Sequence, residues 1–311
     1  MKQAQFIKWA KISLALLVLT LVAVFIVQVD FSLLLVKLRQ LQWRFLLIAL
    51  TPGLGYILAT IAWRYCFPQQ KKQLGIGRLF MIRHVGESLA LINPTNIIAG
   101  ESSKAILLKR IGVPYSDGIV SLILSRTLLI LSHVFLLVVI SLVVFYAIGQ
   151  DIALGFQILL LVFCFLLGVV FFYALTNRQL WLYRGYLRLA RVLQFLKKGA
   201  AKIKTINLEM SHFYHTQRDK LLLAFIFSAL HWCVGALEFY LIFWFLEVPI
   251  TYQYALFIEL GVMVFKSLGS FVPGQIGVEE YGNLFMLHLL NFENAELWIA
   301  ISLIRRGRQI F

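Results

Sequence analysis

The residues of this chain with the greatest chemical capacity are ionisable side chains that interrupt long apolar runs. They fall in two stretches, one around "NPTNIIAGESSK" at residues 93–104 and one around "VPGQIGVEEYG" at residues 272–282. Charged groups at membrane depth are costly, so they usually face a cavity or one another. The predicted substrate-binding residues are Arg83, Glu87, Asn93, Pro94, Gly100, Glu101, Lys104, Arg126, Lys266, Pro273, Gly274, Gly277, Glu279, Glu280 and Arg305.

The basic residues of these stretches suit the binding of an anion, and the acids suit ion pairing or proton transfer. We expect Arg126 and Lys104 to attract an anionic group such as a phosphate. Glu101 and Glu280 would pair with such bases or carry a proton. A purely structural pairing of Arg126 with Glu101 or Glu87 is an equally supported interpretation.

Catalytic and metal chemistry have no motif in this sequence. The histidines, cysteines and acids do not occur at metal-ligand spacing, and the chain contains no P-loop, no nucleophile elbow and no zincin motif. His84 and His133 are interpreted as polar packing residues. The Glu279–Glu280 pair is interpreted either as an interface pair or as a weak acid/base candidate. We therefore expect no metal, no cofactor and no enzymatic activity.

The backbone of both stretches is predicted to break at membrane depth. Pro94 ends one helical arm, and Asn96 or nearby backbone starts the next, whose first turn holds Gly100. Irregular backbone at this depth is tolerated where it lines a cavity, and helix N-termini that point into a cavity attract anions. The pattern predicts two re-entrant broken-helix hairpins, at residues 94–112 and 273–290, with one polar cavity between them through which a substrate passes.

Composition indicates an all-α integral membrane protein, a polytopic helical bundle forming a single domain over residues 1–311. The chain is 61% hydrophobic and 14% charged, whereas a soluble domain is nearer one half apolar and one quarter charged. Apolar runs long enough to be buried in a bilayer lie at about residues 9–29, 45–63, 117–148, 152–175, 221–246 and 254–271.

The net charge of +15 is concentrated beside these runs. The positive-inside rule predicts a multi-pass protein with a cytoplasmic N-terminus, a cytoplasmic 64–78 loop and a basic cytoplasmic segment at 177–220. Within that segment, residues 181–198 form an amphipathic pattern typical of a helix in the headgroup layer. A basic face attracts anionic membrane lipids, and nothing in the pattern indicates nucleic-acid binding.

An offset of 179 residues aligns the two polar stretches without a gap. Pro94 then matches Pro273, Glu101 matches Glu280, Asp117 matches Glu296 and Arg126 matches Arg305, while Glu87 falls on Lys266. The sequence therefore predicts repeat A over about 45–148 and repeat B over about 224–311. Counting crossings makes the repeats inverted, which is the common plan of secondary transporters with broken helices.

The two polar stretches together resemble the lysylphosphatidylglycerol synthase transmembrane-region family, which includes flippase-like integral membrane proteins. The likeness covers roughly residues 10–305 and implies a polytopic protein of the cell (inner or plasma) membrane that moves an aminoacylated, anionic or lipid-linked headgroup between leaflets. Synthase members continue into a cytosolic aminoacyl transferase domain, which is absent here, so lysyl transfer is not implied. The resemblance carries over to Asn93, Pro94, Gly100, Glu101, Lys104, Arg126, Pro273, Gly274, Gly277, Val278 and Glu279.

Two alternatives to a flippase remain open on sequence grounds. One is a membrane-embedded lipid-modifying enzyme, and the other is a scaffold subunit for a cytosolic lipid synthase, which makes a lipid-synthesis enzyme a candidate partner. Family members usually continue with a hydrophobic stretch after the position of Arg305, where this chain has six residues. We therefore expect a truncated or altered tail.

Overall fold

A computed structural model describes residues 43–68, 74–92, 97–148, 162, 200–270, 272, 275, 277–292 and 295–310. Over these residues the secondary structure is helical, with turns between helices and no strand. The expected all-α class is confirmed for this part of the chain. The predicted span at 9–29, the helix at 152–175 and the amphipathic helix at 181–198 lie outside the described residues, apart from Val162, which is helical.

The helices are numbered in chain order. Their bounds are α1 Arg44–Tyr65, α2 Ile76–Ile92, α3 Ile97–Arg110, α4 Tyr115–Ile148, α5 Ala200–Thr216, α6 Arg218–Phe245, α7 Tyr252–Leu268, α8 Val278–Leu289 and α9 Ala295–Ile310.

Three of the helices described here are long and apolar enough to cross a membrane. They are α1, α4 over Tyr115–Ala147, and α6. Large apolar side chains project from all three, including Leu50 at 59% exposure, Phe135 at 54% and Trp244 at 63%. Such exposure would be unfavourable in water and is expected where a helix faces lipid. The chain is an integral membrane protein, as its composition predicts.

The remaining helices of the two polar stretches are short. With 17 residues in α2, 14 in α3, 17 in α7 and 12 in α8, each is shorter than the about 30 Å hydrocarbon core at a rise of about 1.5 Å per residue. Residues 93–96, between α2 and α3, lie outside the described residues. The re-entrant course of both hairpins stays a prediction.

The helix bounds follow the predicted repeat offset. Under a shift of 179 residues the end of α3 at Arg110 falls on the end of α8 at Leu289. The starts of α2 and α4 fall within a few residues of the starts of α7 and α9. The inversion of the two copies, and the domain bounds drawn from it, stay predictions.

The start of α8 differs from the sequence interpretation. The interrupted stretch was expected to extend to residue 282, but the helix already begins at Val278. Gly277 has φ +81 and Gln275 has φ +52, which turns the chain into the helix. The Gly277 N–H donates to Glu280 Oε2 at 2.8 Å, so an acid predicted for the site also caps a helix end.

The chain divides into two compact units, which are described separately. The first unit comprises residues 53–87 and 100–234, and the second comprises residues 1–52, 88–99 and 235–311. In the first unit Trp63, Leu79, Leu108 and Phe213 are buried in one apolar core, and the Trp63 indole donates to Ser121 Oγ at 3.2 Å.

The second unit has a core formed by α6, α7 and α8. Phe239, Phe243 and Ile258 are completely buried there. A Cβ atom at position 261 would collide with the Met286 side chain, so Gly261 allows α7 and α8 to pack closely. Both cores stabilise the helices that carry the polar side chains described next.

Candidate functional site

A cluster of five charged side chains lies inside the first unit, and we name it the 83–126 cluster. Arg83 and Glu87 stand one turn apart on α2, Glu101 and Lys104 stand one turn apart on α3, and Arg126 lies on α4. Residues three or four apart share one face of a helix. The three helices therefore turn their charged faces toward the same point.

Lys104 is the centre of the 83–126 cluster. Its side chain is buried, and its Nζ lies 2.8 Å from Glu87 Oε1 and 3.0 Å from Glu101 Oε1. A Cβ atom at position 86 would come within 2.5 Å of Lys104 Cγ and Cε. Because Gly86 has no side chain, the Lys104 side chain can pass close to α2. The cost of burying the lysine is offset by its ion pairs with two carboxylates.

The two arginines of the cluster differ in their surroundings. Arg83 is 6% exposed and its Nη1 donates to the Ala59 carbonyl at 3.4 Å. Its buried Nε has no hydrogen-bond partner among the described residues. Arg126 has a side chain that is 37% exposed, and its Nε lies 4.0 Å from Glu101 Oε1. Arg126 is therefore the accessible cation of the group.

The 83–126 cluster has an excess of one positive charge, because three bases face two acids. In a medium of low dielectric constant an excess charge of this kind attracts a counter-ion strongly. The cluster is therefore suited to bind an anion, with Arg126 as the contact that the anion reaches first.

Two cavities meet at this cluster. The inner cavity has a volume of about 10 Å³ and is lined by Trp63, Arg83, Glu87, Glu101, Lys104, Leu122, Ser125, Arg126 and Leu129. The outer cavity, which we name the α3–α4 groove, has a volume of about 350 Å³ and is lined by Glu101, Ser102, Ala105, Tyr115, Ile119, Leu122, Ile123, Arg126, Thr127 and Ile130. Glu101 and Arg126 line both cavities.

The second unit contains a separate set of charged side chains, which we name the 238–308 cluster. It combines Glu238 on α6, Glu259 and Lys266 on α7, Glu279 and Glu280 on α8, and Arg305, Arg306 and Arg308 on α9.

Arg305 is the most buried base of the 238–308 cluster, with 2% side-chain exposure. Its Nη1 lies 2.9 Å from Glu259 Oε2, its Nε lies 3.0 Å from Glu279 Oε1, and its guanidinium carbon is 4.2 Å from the centre of the Phe239 ring. Lys266 Nζ adds a second base at 3.0 Å from Glu279 Oε2. Arg305 thereby joins α9 to the two helices before it.

The neighbouring arginines complete this set of contacts. Arg306 Nε lies 2.7 Å from Glu280 Oε1, and its Nη2 donates to the Gln275 carbonyl at 2.8 Å. Arg308 Nε lies 2.9 Å from Glu238 Oε1. Four acids thus face four bases, so the 238–308 cluster is charge-balanced and has no excess with which to hold a further ion.

Comparison with protein families gives a match over residues 9–311 to the family described as the lysylphosphatidylglycerol synthase TM region. The chain belongs to this family. The resemblance inferred from the two polar stretches is confirmed, and the family places the chain among membrane proteins of lipid synthesis or transport. Comparisons with curated proteins and with solved structures gave no match.

Nine of the site residues predicted for this family member lie in the two clusters. Those of the 83–126 cluster are Arg83, Glu87, Glu101, Lys104 and Arg126, and those of the 238–308 cluster are Lys266, Glu279, Glu280 and Arg305. Gly277 starts α8, and Gly100 is buried within α3. Asn93, Pro94, Pro273 and Gly274 lie outside the described residues.

Sequence reasoning missed Glu238, Arg306 and Arg308 as members of a cluster. An acid within the apolar run 221–246 was a usable signal, because an ionisable residue in a span indicates a partner at the same depth. The stretch "RRGRQIF", which begins at Arg305, belongs to α9 as far as Ile310. Its arginines pair with acids of other helices.

Proposed function

We propose that this family member moves a lipid with an anionic headgroup from one membrane leaflet to the other, and that the 83–126 cluster binds the headgroup. The observation that carries the proposal is the partly exposed Arg126 beside a large, mainly apolar groove, in a cluster with one excess positive charge. A lipid has both of the features to which this arrangement is complementary, an anionic group and apolar chains.

The α3–α4 groove is suited to a lipid by its lining. Its α4 residues run from Tyr115 to Ile130, a distance of about 22 Å along a helix and most of the about 30 Å hydrocarbon core. Ile119, Ile123 and Ile130 supply apolar surface, and Arg126 supplies the charge. Acyl chains would contact the isoleucines while the headgroup reaches the arginine.

The chemical task of a flippase is to lower the cost of taking a charged headgroup through hydrocarbon. An ion without a partner in a medium of low dielectric constant is strongly disfavoured, and a fixed counter-charge reduces this cost. Arg126 would neutralise the headgroup at depth. The short helix pairs α2–α3 and α7–α8 support this proposal, because transporters with alternating access use broken helices around their substrate site.

Transport is favoured over lipid modification by the state of the acids. Glu279 and Glu280, the residues on which an acid/base mechanism would depend, lie in ion pairs with Lys266, Arg305 and Arg306. We propose that the protein acts without cofactor in the cell membrane, with its N-terminus in the cytoplasm, on anionic membrane lipids. A lipid-synthesis enzyme that supplies the substrate is the proposed partner.

The test is headgroup translocation in proteoliposomes that contain the purified full chain and a head-labelled anionic phospholipid. We expect Arg126→Gln to lower the initial rate about tenfold or more, because it removes a charge-assisted contact of about 1.5–3 kcal/mol. The matched control is Arg110→Gln, which removes the same charge from an exposed position at the end of α3. Equal rates for wild type and Arg126→Gln would contradict the proposal.

A further inference from the structure

We infer that Glu101 is an internal anion that competes with the ligand for Arg126 and thereby sets both the affinity and the charge preference of the α3–α4 groove. The inference rests on the proposed function for the ligand, an anionic lipid. Its structural basis is the position of one carboxylate between two cavities and the distances from that carboxylate to two bases, Lys104 and Arg126.

Glu101 stands between a buried base and an exposed one. Its Oε1 lies 3.0 Å from Lys104 Nζ and 4.0 Å from Arg126 Nε, and its side chain is 25% exposed. The carboxylate therefore has a direct hydrogen bond on the inner side and a longer ion pair on the groove side. An anion that approaches through the groove meets Arg126 at the point where Glu101 already contributes negative charge.

The inner cavity provides a second position for the carboxylate. Its volume of about 10 Å³ is close to that of one water-sized group. Arg83 and Lys104 both line it, and the buried Nε of Arg83 has no hydrogen-bond partner among the described residues. A rotation of the Glu101 side chain toward this cavity keeps its contact with Lys104, brings it toward Arg83 and releases Arg126 for the ligand.

The charged groups around Glu101 determine which ligands gain from this movement. Arg83 and Glu87 face it from α2, Lys104 from its own helix and Arg126 from α4. With Glu101 ionised the group has one excess positive charge, so a headgroup with a single negative charge brings it to neutrality. A headgroup with two negative charges leaves a buried negative charge, which is unfavourable.

The experiment compares binding to the purified full chain in detergent by calorimetric titration, with dioctanoyl phosphatidylglycerol as the singly charged probe. We expect Glu101→Gln to lower the dissociation constant about fivefold to tenfold, because the ligand no longer competes with an internal anion for Arg126. Dioctanoyl phosphatidic acid, whose phosphate approaches two negative charges at alkaline pH, should gain more affinity from this substitution than the singly charged probe does. Dioctanoylglycerol, which has no charge, should not gain.

Two further variants separate competition from a simple change of net charge. Glu87→Gln raises the net charge by the same amount, but Glu87 lines only the inner cavity, so it should tighten binding much less than Glu101→Gln. Glu101→Asp keeps the charge and shortens the reach toward Arg126, so it should tighten binding to an intermediate degree. Equal tightening by both glutamine variants, with no change in Glu101→Asp, would overturn the inference.

The same titration keeps this inference distinct from the proposed function. If Arg126→Gln binds the singly charged probe as well as wild type does, the headgroup site is assigned wrongly and the proposed function loses its basis. If Arg126→Gln loses binding but neither Glu101 variant tightens it, the headgroup site stands and only the competing role of Glu101 is overturned.

Discussion

Arg126 and Arg305, which occupy matching positions of the two predicted repeats, illustrate how the surroundings of a residue decide its role. Arg305 has carboxylates of Glu259 and Glu279 at hydrogen-bond distance and is 2% exposed. Arg126 has a single acid, at 4.0 Å, and is 37% exposed. A base whose charge is balanced by neighbouring acids stabilises the structure, whereas a base in a cluster with net positive charge can also bind an anionic ligand.

Arg305→Gln is expected to lower the free energy of unfolding by about 3–5 kcal/mol, because it leaves buried carboxylates without their partner. Denaturant unfolding of the purified chain in detergent measures this difference. Arg126→Gln is the matched control and should lose no more than about 1 kcal/mol, the range of an exposed pair. Similar losses for both variants would contradict the distinction between a charge-balanced and a charge-excess cluster.

Gly86→Ala is expected to displace Lys104, because the added Cβ lies 2.5 Å from two carbons of that side chain. Overpacking of this kind lowers the free energy of unfolding by about 1–3 kcal/mol, and binding of dioctanoyl phosphatidylglycerol should weaken with it. Calorimetric titration and denaturant unfolding give the two readouts.

The control for this variant is Gly77→Ala on the same helix, α2. A Cβ there meets nothing within 4 Å, so the alanine should leave binding unchanged. It should be neutral or raise the free energy of unfolding by up to about 1 kcal/mol. If Gly77→Ala and Gly86→Ala behave alike, Lys104 does not need the space at position 86.

At the scale of the element, α8 shows how one acid serves both a helix and a cluster. Glu280 accepts the Gly277 N–H at the start of the helix and pairs with Arg306 on α9. The left-handed turn at Gly277, with φ +81, directs the chain so that this acid lies in the first turn. The position of the cluster therefore depends on a backbone conformation that glycine adopts readily.

Gly277→Ala is expected to lower the free energy of unfolding by about 1–2 kcal/mol, the cost of a left-handed conformation for a residue with a Cβ. No atom lies within 4 Å of that Cβ, so the loss is due to the backbone alone. Gly75→Ala, also with no neighbour within 4 Å, should show no loss in the same unfolding measurement. A loss in both variants would point to a general effect of glycine replacement.

The junction of α4 and α5 gives a prediction about pH. Burial raises the pKa of the Glu209 carboxyl, repulsion from Asp117 raises it further, and a contact with the Ser116 hydroxyl acts in the opposite direction. A carboxyl with a raised folded-state pKa binds more protons in the folded than in the unfolded state. Its ionisation therefore destabilises the folded state as pH rises above the ordinary pKa of a glutamate carboxyl.

Glu209→Gln is expected to raise the melting temperature at pH 7 and to leave it unchanged near pH 4, where the wild-type carboxyl is largely protonated in both states. Thermal unfolding of the full chain at the two pH values measures the two melting temperatures. Asp219→Asn, an acid in the first turn of α6, serves as the control. An equal gain at both pH values would show that ionisation of Glu209 is not the cause.

The sequence predicts the positions of the helices along the chain better than it predicts which charged side chains pair with one another. The spans α1, α4 and α6 begin and end within a few residues of the expected positions, because length and apolarity identify a span without reference to neighbours. The charged residues of the 83–126 cluster were also expected near one another. Arg306 and Arg308 of α9 were not, because they pair with acids on α8 and α6, which no local pattern reveals.

At the scale of the whole molecule, the predicted inversion of the two repeats depends on which side of the membrane each connection occupies. We predict that positions 75 and 216 are cytoplasmic and that position 251 is on the opposite side, because α6, which lies between the last two, is long and apolar enough to cross the membrane. The first two positions adjoin basic segments, and the third follows a turn without lysine or arginine.

Single cysteines at Gly75, Thr216 and Thr251 test this in a chain whose native Cys66, Cys164 and Cys233 are replaced by alanine. In intact cells a membrane-impermeant maleimide should label only Thr251→Cys. After permeabilisation all three variants should react, which controls for accessibility. Labelling of all three from the outside, or of none, would contradict the predicted orientation.

The contacts of α9 also have a consequence for biosynthesis. A ribosome that has just completed α8 has made Glu238, Glu259 and Glu280, whereas their arginine partners on α9 are still to be translated. Chains are synthesised from the N-terminus, at about 5–20 residues per second, so the apolar helix α6 can enter the membrane with Glu238 before Arg308 has left the ribosome. A nascent chain stalled before Arg305 should therefore be a preferred substrate for membrane quality-control proteases.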